Sequence, residues 1–203
     1  MATFMAPTYC AMEAYIESAR KQFEYYKMLG EKTLTRLDNE TLNRQYNSEM
    51  NSVATIVRHL HGNMMSRWTN FLVEDGEKPW RNRDAEFDPS HLSPEAAMAL
   101  WAEGWLCLFD ALRSIKPADY NRIVYIRNQG HSITDAINRQ LCHYAYHVGQ
   151  MVLLGKLILA DRWESLSIPR GGSRAFNADH FAKAKEVKHF TDEFLQGDSS
   201  EHN

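Results

Sequence analysis

From Ser132 to Asp161 the chain reads SITDAINRQLCHYAYHVGQMVLLGKLILAD. Ile137, Leu141, Tyr144, Val148 and Met151 recur at steps of three and four, the period of an α-helix. Ser132 and Asp135 open it as a capping-box-like pair, with Asp in the place usually held by Glu or Gln. Beside the apolar stripe runs a polar one: Gln140, His143, His147 and Gln150, at steps of three, four and three. Residues four apart lie about 40° apart around a helix, so these side chains share a face. Over this length the helix is apolar around most of its circumference. The polar stripe is therefore expected to face the protein interior.

An earlier segment repeats the arrangement. Asn51 or Ser52 supplies an N-cap, and Val53, Ile56, Val57, Leu60, Met64, Trp68 and Phe71 mark the buried side of a second helix. His59, Asn63 and Arg67 follow one another at steps of four on its polar side. Two further helices complete the reading. One runs from about residue 9 to 29, with Met12, Ile16, Ala19, Phe23 and Tyr26 on one face and Gly30 as its stop. The other is capped by Ser93, with Pro94 in the first helical position and Glu95 in the first turn. It carries Ala97, Trp101, Trp105, Leu108, Phe109 and Leu112 and ends before Pro117. Trp101, Trp105, Tyr144 and Tyr146 are read as core.

The connectors are less regular. Asp38 to Ser48 is polar. Glu74 to His91 holds Gly76, Pro79, Pro89 and many charges and is read as a loop of about 20 residues, long enough to cross over between helices. Ile123 to Ile126 is β-prone but too short to define a sheet, and Asn128-Gln129-Gly130 is a turn. Ser165 to Asn177 is irregular. A fifth amphipathic helix is predicted from about Ala178, with Phe181, Ala184, Val187, Phe190 and Phe194 on one side, and the tail from Gln196 to Asn203 is expected to be disordered. Four helices of roughly 20 to 30 residues without a credible sheet give an all-α four-helix bundle.

Composition narrows the function. The chain has 203 residues, 44% hydrophobic and 24% charged, with a net charge of −3 and no dense run of Lys and Arg. Nothing here provides the basic face that nucleic acid or an anionic membrane requires. Met1 to Thr8 does not read as a secretory signal, and no apolar run approaches the roughly 20 residues of a membrane span. Cys10, Cys107 and Cys142 are odd in number and widely spaced, without C-x-x-C. A reduced, cytoplasmic protein without a disulfide framework is expected.

Buried polar groups cost free energy unless they are paired, and two interior polar stripes call for a shared partner. A metal ion satisfies several imidazoles at once, and two His four residues apart on a helix can reach one ion. His143 and His147 form such a pair, and His59 on the neighbouring helix is the third candidate. Neutral imidazole suits zinc, nickel, copper or iron(II), of which zinc or nickel is expected. Three protein ligands leave a position for water or substrate. Asn63, Arg67 and Gln150 share these stripes and are read as groups that contact the site or its cofactor. The remaining histidines are read as ordinary: His61 lies about 200° around the helix from His59, His91 and His131 belong to a loop and a turn, and His180 and His189 to the late helix. Cys142 points about 100° away from His143 and is read as a buried, inert thiol. A ferritin-like di-iron site needs E-x-x-H on two helices, which neither His-bearing helix carries.

NSVATIVRHLHGNMMSRW (Asn51 to Trp68) resembles the first signature of the DinB-like, damage-inducible superfamily of metalloenzymes, and INRQLCHYAYHVGQ (Ile137 to Gln150) resembles its second. That superfamily is distinct from the DNA polymerase sharing the name. VYIR (Val124 to Arg127) and SIPRG (Ser167 to Gly171) resemble one bacterial subfamily of unknown function. The likeness spans about Cys10 to Asn177. It implies a bundle of up-down-down-up order over residues 1–177, with the C-terminal helix and tail of 178–203 outside it, and frequent homodimers. It also implies a three-His site, which falls on His59, His143 and His147. Members with known activity include S-transferases that use small thiols and thiol-dependent isomerases. A metal-dependent thiol S-transferase or hydrolase acting on a small molecule, with a divalent ion and a low-molecular-weight thiol as cofactors, is the expectation. A non-catalytic, metal-binding dimeric bundle is the alternative.

Overall fold

Four long helices, α1 (Ala11–Leu34), α3 (Val53–Trp68), α4 (Pro94–Ser114) and α5 (Ile133–Leu159), carry most of the core in the computed structural model. It describes residues 11–88 and 91–195. The expected start of the first helix near Tyr9, the residues Cys10 and Pro89, and the tail from Gln196 lie outside the described residues. α3 packs on α4, α1 on α5 and α4, and α3 on α5. α5 thus faces both α1 and α3, which brings the polar stripe of α5 opposite that of α3. Phe23, Trp105 and Tyr144, from three of these helices, meet at the centre, with ring centroids 5.7–6.2 Å apart. Removing such side chains from water contributes about 1.5–3 kcal/mol each.

The helix starts follow local chemistry. The hydroxyls of Ser52, Ser93 and Ser132 accept the backbone N–H groups of Thr55, Ala96 and Asp135, which satisfies otherwise orphaned donors. A short helix, α2 (Asn39–Leu42), is capped by Asp38 inside the polar connector. Gly30 does not stop α1, which continues to Leu34. Its backbone lies against the Trp101 indole, and a Cβ at that position would overlap the ring. The glycine answers to a close helix approach, not to a terminus.

A small sheet corrects the reading of residues 123–132. β1 (Ile123–Ile126) and β2 (Gln129–Ser132) pair antiparallel, Ile126 opposite Gln129. The turn is therefore Arg127-Asn128, one position earlier than the Asn128-Gln129-Gly130 reading. Both residues take positive φ, 55° and 60°, as a two-residue type I′ hairpin requires. The Asp75 carboxylate accepts the backbone N–H groups of Arg127 and Asn128, each at 2.8 Å. Gly76 N–H donates to Tyr125 O at 2.8 Å. The hairpin thus ties the long connector between α3 and α4 to the start of α5.

The predicted C-terminal amphipathic helix is broken in two. α6 (Ser173–Phe181) begins inside the stretch read as irregular, and α7 (Asp192–Leu195) follows after a non-helical run. Phe181 and Val187 are exposed. With those two side chains uncovered, the middle of the stripe lacks the tertiary burial that sustains most helices. Phe190 and Phe194 meet the Tyr25 ring of α1 at 5.8 and 5.4 Å. Tyr146 and Cys142 also depart from expectation, since both are exposed on α5. Among the described residues, no helix is long and apolar enough to cross a membrane.

Candidate metal centre

His59 sits in the second turn of α3, and His143 and His147 sit in the middle of α5, one turn apart. One ligating nitrogen from each lies within 4.8 Å of the others. Among the described residues this is the group of His, Cys, Asp or Glu able to hold an ion in this way. His59 and His147 are buried and His143 is half-buried. The ring centroids stand 4.8–5.3 Å apart. The Phe87 ring lies 4.9 Å from that of His59, and the Tyr146 ring 5.0 Å from that of His147.

Every Nδ1 in the trio faces an oxygen acceptor. His59 Nδ1 meets Glu86 Oε2 at 2.9 Å, His143 Nδ1 meets Gln140 Oε1 at 3.4 Å, and His147 Nδ1 meets Gln150 Oε1 at 2.9 Å. An Nδ1–H donating outward leaves the lone pair on Nε2, the form in which histidine ligates a metal. The Nε2 atoms of His59 and His143 stand 3.3 Å apart. With Nδ1–H on both rings, the two Nε2 lone pairs face each other, an arrangement that a shared cation stabilises. A tetrahedral ion with nitrogen bonds of about 2.0–2.1 Å holds two ligands about 3.3 Å apart. The third nitrogen, from His147, lies within 4.8 Å of the other two. The donor set therefore fits a divalent ion of the kind that imidazole binds.

Electrostatics favours the neutral imidazoles of His143 and His147. Burial, and then the positive charge of neighbouring His147, His59, Arg67 and Arg81, lowers the His143 pKa to about 3. Burial and then His59 lower that of His147 to about 4. Glu86 remains a carboxylate: burial pushes its pKa up, but the hydrogen bonds from His59 and Arg81 outweigh this and the net shift is downward. Arg81 donates from Nε and Nη2 to both Glu86 oxygens, at 2.8 and 3.0 Å.

Of the other expected site residues, Gln150 touches the trio directly. Asn63 is buried and accepts a 3.0 Å hydrogen bond from the Tyr144 hydroxyl, which itself accepts one from Trp68 Nε1 at 3.0 Å. Arg67 is buried and turned toward the connector, where it donates to Gly76 O and, at 3.1 Å, to Glu77 Oε2. Among the described residues, the remaining histidines lie apart from the trio. His61 pairs with Glu103 across α3 and α4, His180 with Glu193, and His189 with Ser18 and Thr191; His91 is exposed and His131 lies on β2 beside Arg139.

Sequence reasoning missed Glu86 and Arg81, and it named Gln140 only as a stripe member. The Gln140 signal was available: it precedes His143 by three residues as Gln150 follows His147 by three. Glu86 and Arg81 lie in a connector without periodicity, so no pattern places them against α3.

Residues 11–172 match the model of a family described as a protein of unknown function (DUF1572). No curated protein and no solved structure matches the chain.

Proposed function

The chain belongs to the DUF1572 family, a member of the DinB-like superfamily, and from that membership we propose that it is a metal-dependent enzyme whose His59, His143 and His147 hold one divalent ion, zinc or nickel. The observation that carries this is the outward pairing of all three Nδ1 atoms with Glu86, Gln140 and Gln150. It leaves three Nε2 atoms on neighbouring helices free to share one ion. The four long helices are read as a bundle of up-down-down-up order spanning residues 1–177. Residues 178–203 lie outside that domain. A homodimer in the cytoplasm is part of the same reading.

Three protein ligands leave a position for a small-molecule substrate or a low-molecular-weight thiol. A bound divalent ion would supply Lewis acidity there, lowering the pKa of a coordinated thiol or water. The protein's own part is to orient three imidazoles, to keep those of His143 and His147 neutral, and to wall the site with Phe87 and Tyr146. Asn63 and Arg67 continue the buried polar stripe of α3 beyond His59 and are assigned to substrate or cofactor contacts, with Gln150 beside His147. Thiol transfer to an electrophile is the preferred reaction class and metal-assisted hydrolysis the next.

The test is turnover by zinc- or nickel-loaded protein given small thiols and electrophilic substrates, against a His147→Ala variant. Product above the variant's background supports the reading. Equal rates count against it.

The burial of His59 and His147, 4% and 9% exposed, supports a second reading in which the ion only organises the helices. That reading requires a sharp fall in Tm when the ion is removed and no change in metal absorption when thiols are added to cobalt-loaded protein.

A further inference from the structure

Glu86 is the one outer partner of the trio that does not come from the helix of its own histidine. Gln140 and Gln150 share α5 with His143 and His147. Glu86 lies in the 3₁₀ turn Asp84–Phe87 of the connector between α3 and α4. Its side chain is 10% exposed. A carboxylate so placed is costly unless it is paired, and here it receives three hydrogen bonds: one from His59 and two from Arg81, itself 2% exposed. Space is kept for it as well. Gly62 lies one helical turn after His59, and a Cβ there would overlap the Glu86 carboxyl. The next residue, Phe87, packs its ring on that of His59.

We propose that Glu86 is the positioning carboxylate that orients His59 as a metal ligand, with Arg81 and the bare backbone of Gly62 serving to place it. The proposal rests on the three-His metal reading and adds a residue and a role to it. A carboxylate partner raises the basicity of a ligating imidazole more than a neutral amide does. His59 is then the strongest donor of the three, and its orientation depends on a loop. That loop is itself anchored to the hairpin through Gly76 and Asp75. Metal affinity is thereby coupled to docking of the connector.

The experiment compares Glu86→Ala, Glu86→Gln and Gly62→Ala with the parent in two readouts. Zinc affinity is measured by competition with a chromophoric chelator. The tautomer of His59 is read in metal-free protein from its imidazole ¹⁵N shifts. Helical circular dichroism of the metal-free variants verifies the fold. Glu86→Ala is expected to weaken zinc binding about 10- to 100-fold and to release His59 from the Nδ1–H form. Gly62→Ala follows it by displacing the carboxyl. Glu86→Gln, whose amide oxygen still accepts from Nδ1–H, loses less and retains the tautomer. Zinc affinity within twofold of the parent and an unchanged tautomer in Glu86→Ala would overturn the proposal. A parent that binds no zinc overturns the metal reading instead, and the tautomer measurement then decides the role of Glu86 alone.

Discussion

The Nε2 atoms of His59 and His143 stand 3.3 Å apart although 84 residues separate them in the chain. The contact exists because α5 lies against both α1 and α3, and because Glu86 and Gln140 engage the opposite edges of the two rings. It turns two separate polar stripes into one site.

The first expectation concerns acid. His143 and His147 have folded pKa values lowered from 6.5 to about 3 and about 4, by burial first and then by neighbouring positive charge. Between those values and 6.5 the unfolded chain binds more protons than the folded one. The stability tied to the neutral rings is therefore fully present above pH 6.5 and lost progressively as pH falls toward 4 and then 3. Tm of metal-free protein, measured from pH 7 down to pH 4, should decline less steeply in a His143→Gln variant than in the parent. Parallel curves would refute this.

Gly30→Ala tests a packing claim. Helix propensity alone favours alanine by about 1 kcal/mol, but the added Cβ meets the Trp101 ring. Overpacking of this kind costs about 1–3 kcal/mol. A net loss of stability in urea denaturation is expected. A stabilised variant would show that α1 and α4 can part without cost.

Asp75→Ala removes the acceptor for two backbone N–H groups of the Arg127-Asn128 turn. Neither residue is glycine, and both sit at positive φ, so the turn depends on that carboxylate. A loss of about 1–3 kcal/mol is expected. Amide exchange should accelerate in 123–132 before it does in the core of α1. Uniform acceleration would contradict a local role.

Tyr144→Phe deletes the hydroxyl that joins Trp68 to Asn63 in a fully buried chain. Leaving those two groups unpaired is expected to cost about 1–3 kcal/mol. Metal content per folded chain should stay that of the parent, because Tyr144 touches the trio only by ring packing. A variant that folds stably and loses its metal would make the Tyr144 hydroxyl part of the site.

What could be read in the sequence was what neighbours along the chain determine. Ser52, Ser93 and Ser132 cap helices by bonds to residues three positions on, so their roles were legible. The stripes through His59, His143 and His147 were legible for the same reason, since period and face follow from helix geometry. Gly30 was misread because its constraint, Trp101, lies on another helix. The hairpin was missed because Asp75, which holds its turn, comes some fifty residues earlier. The stripe from Phe181 to Phe194 had the right period, but only its far end, Phe190 and Phe194, found a surface on α1, while Phe181 and Val187 stayed exposed. Cys142 and Tyr146 were assigned to the interior on residue type, although each lies about 100° around α5 from a site histidine. Glu86 reaches His59 from a connector, and no local pattern announces such a contact.

The central claim is that His59, His143 and His147 hold one ion together. It is tested most directly by elemental analysis of protein purified without a chelating column, beside folded His59→Ala and His143→Ala variants. The account expects close to one divalent ion per chain in the parent and a large loss in both variants. Equal metal content in all three proteins would contradict it.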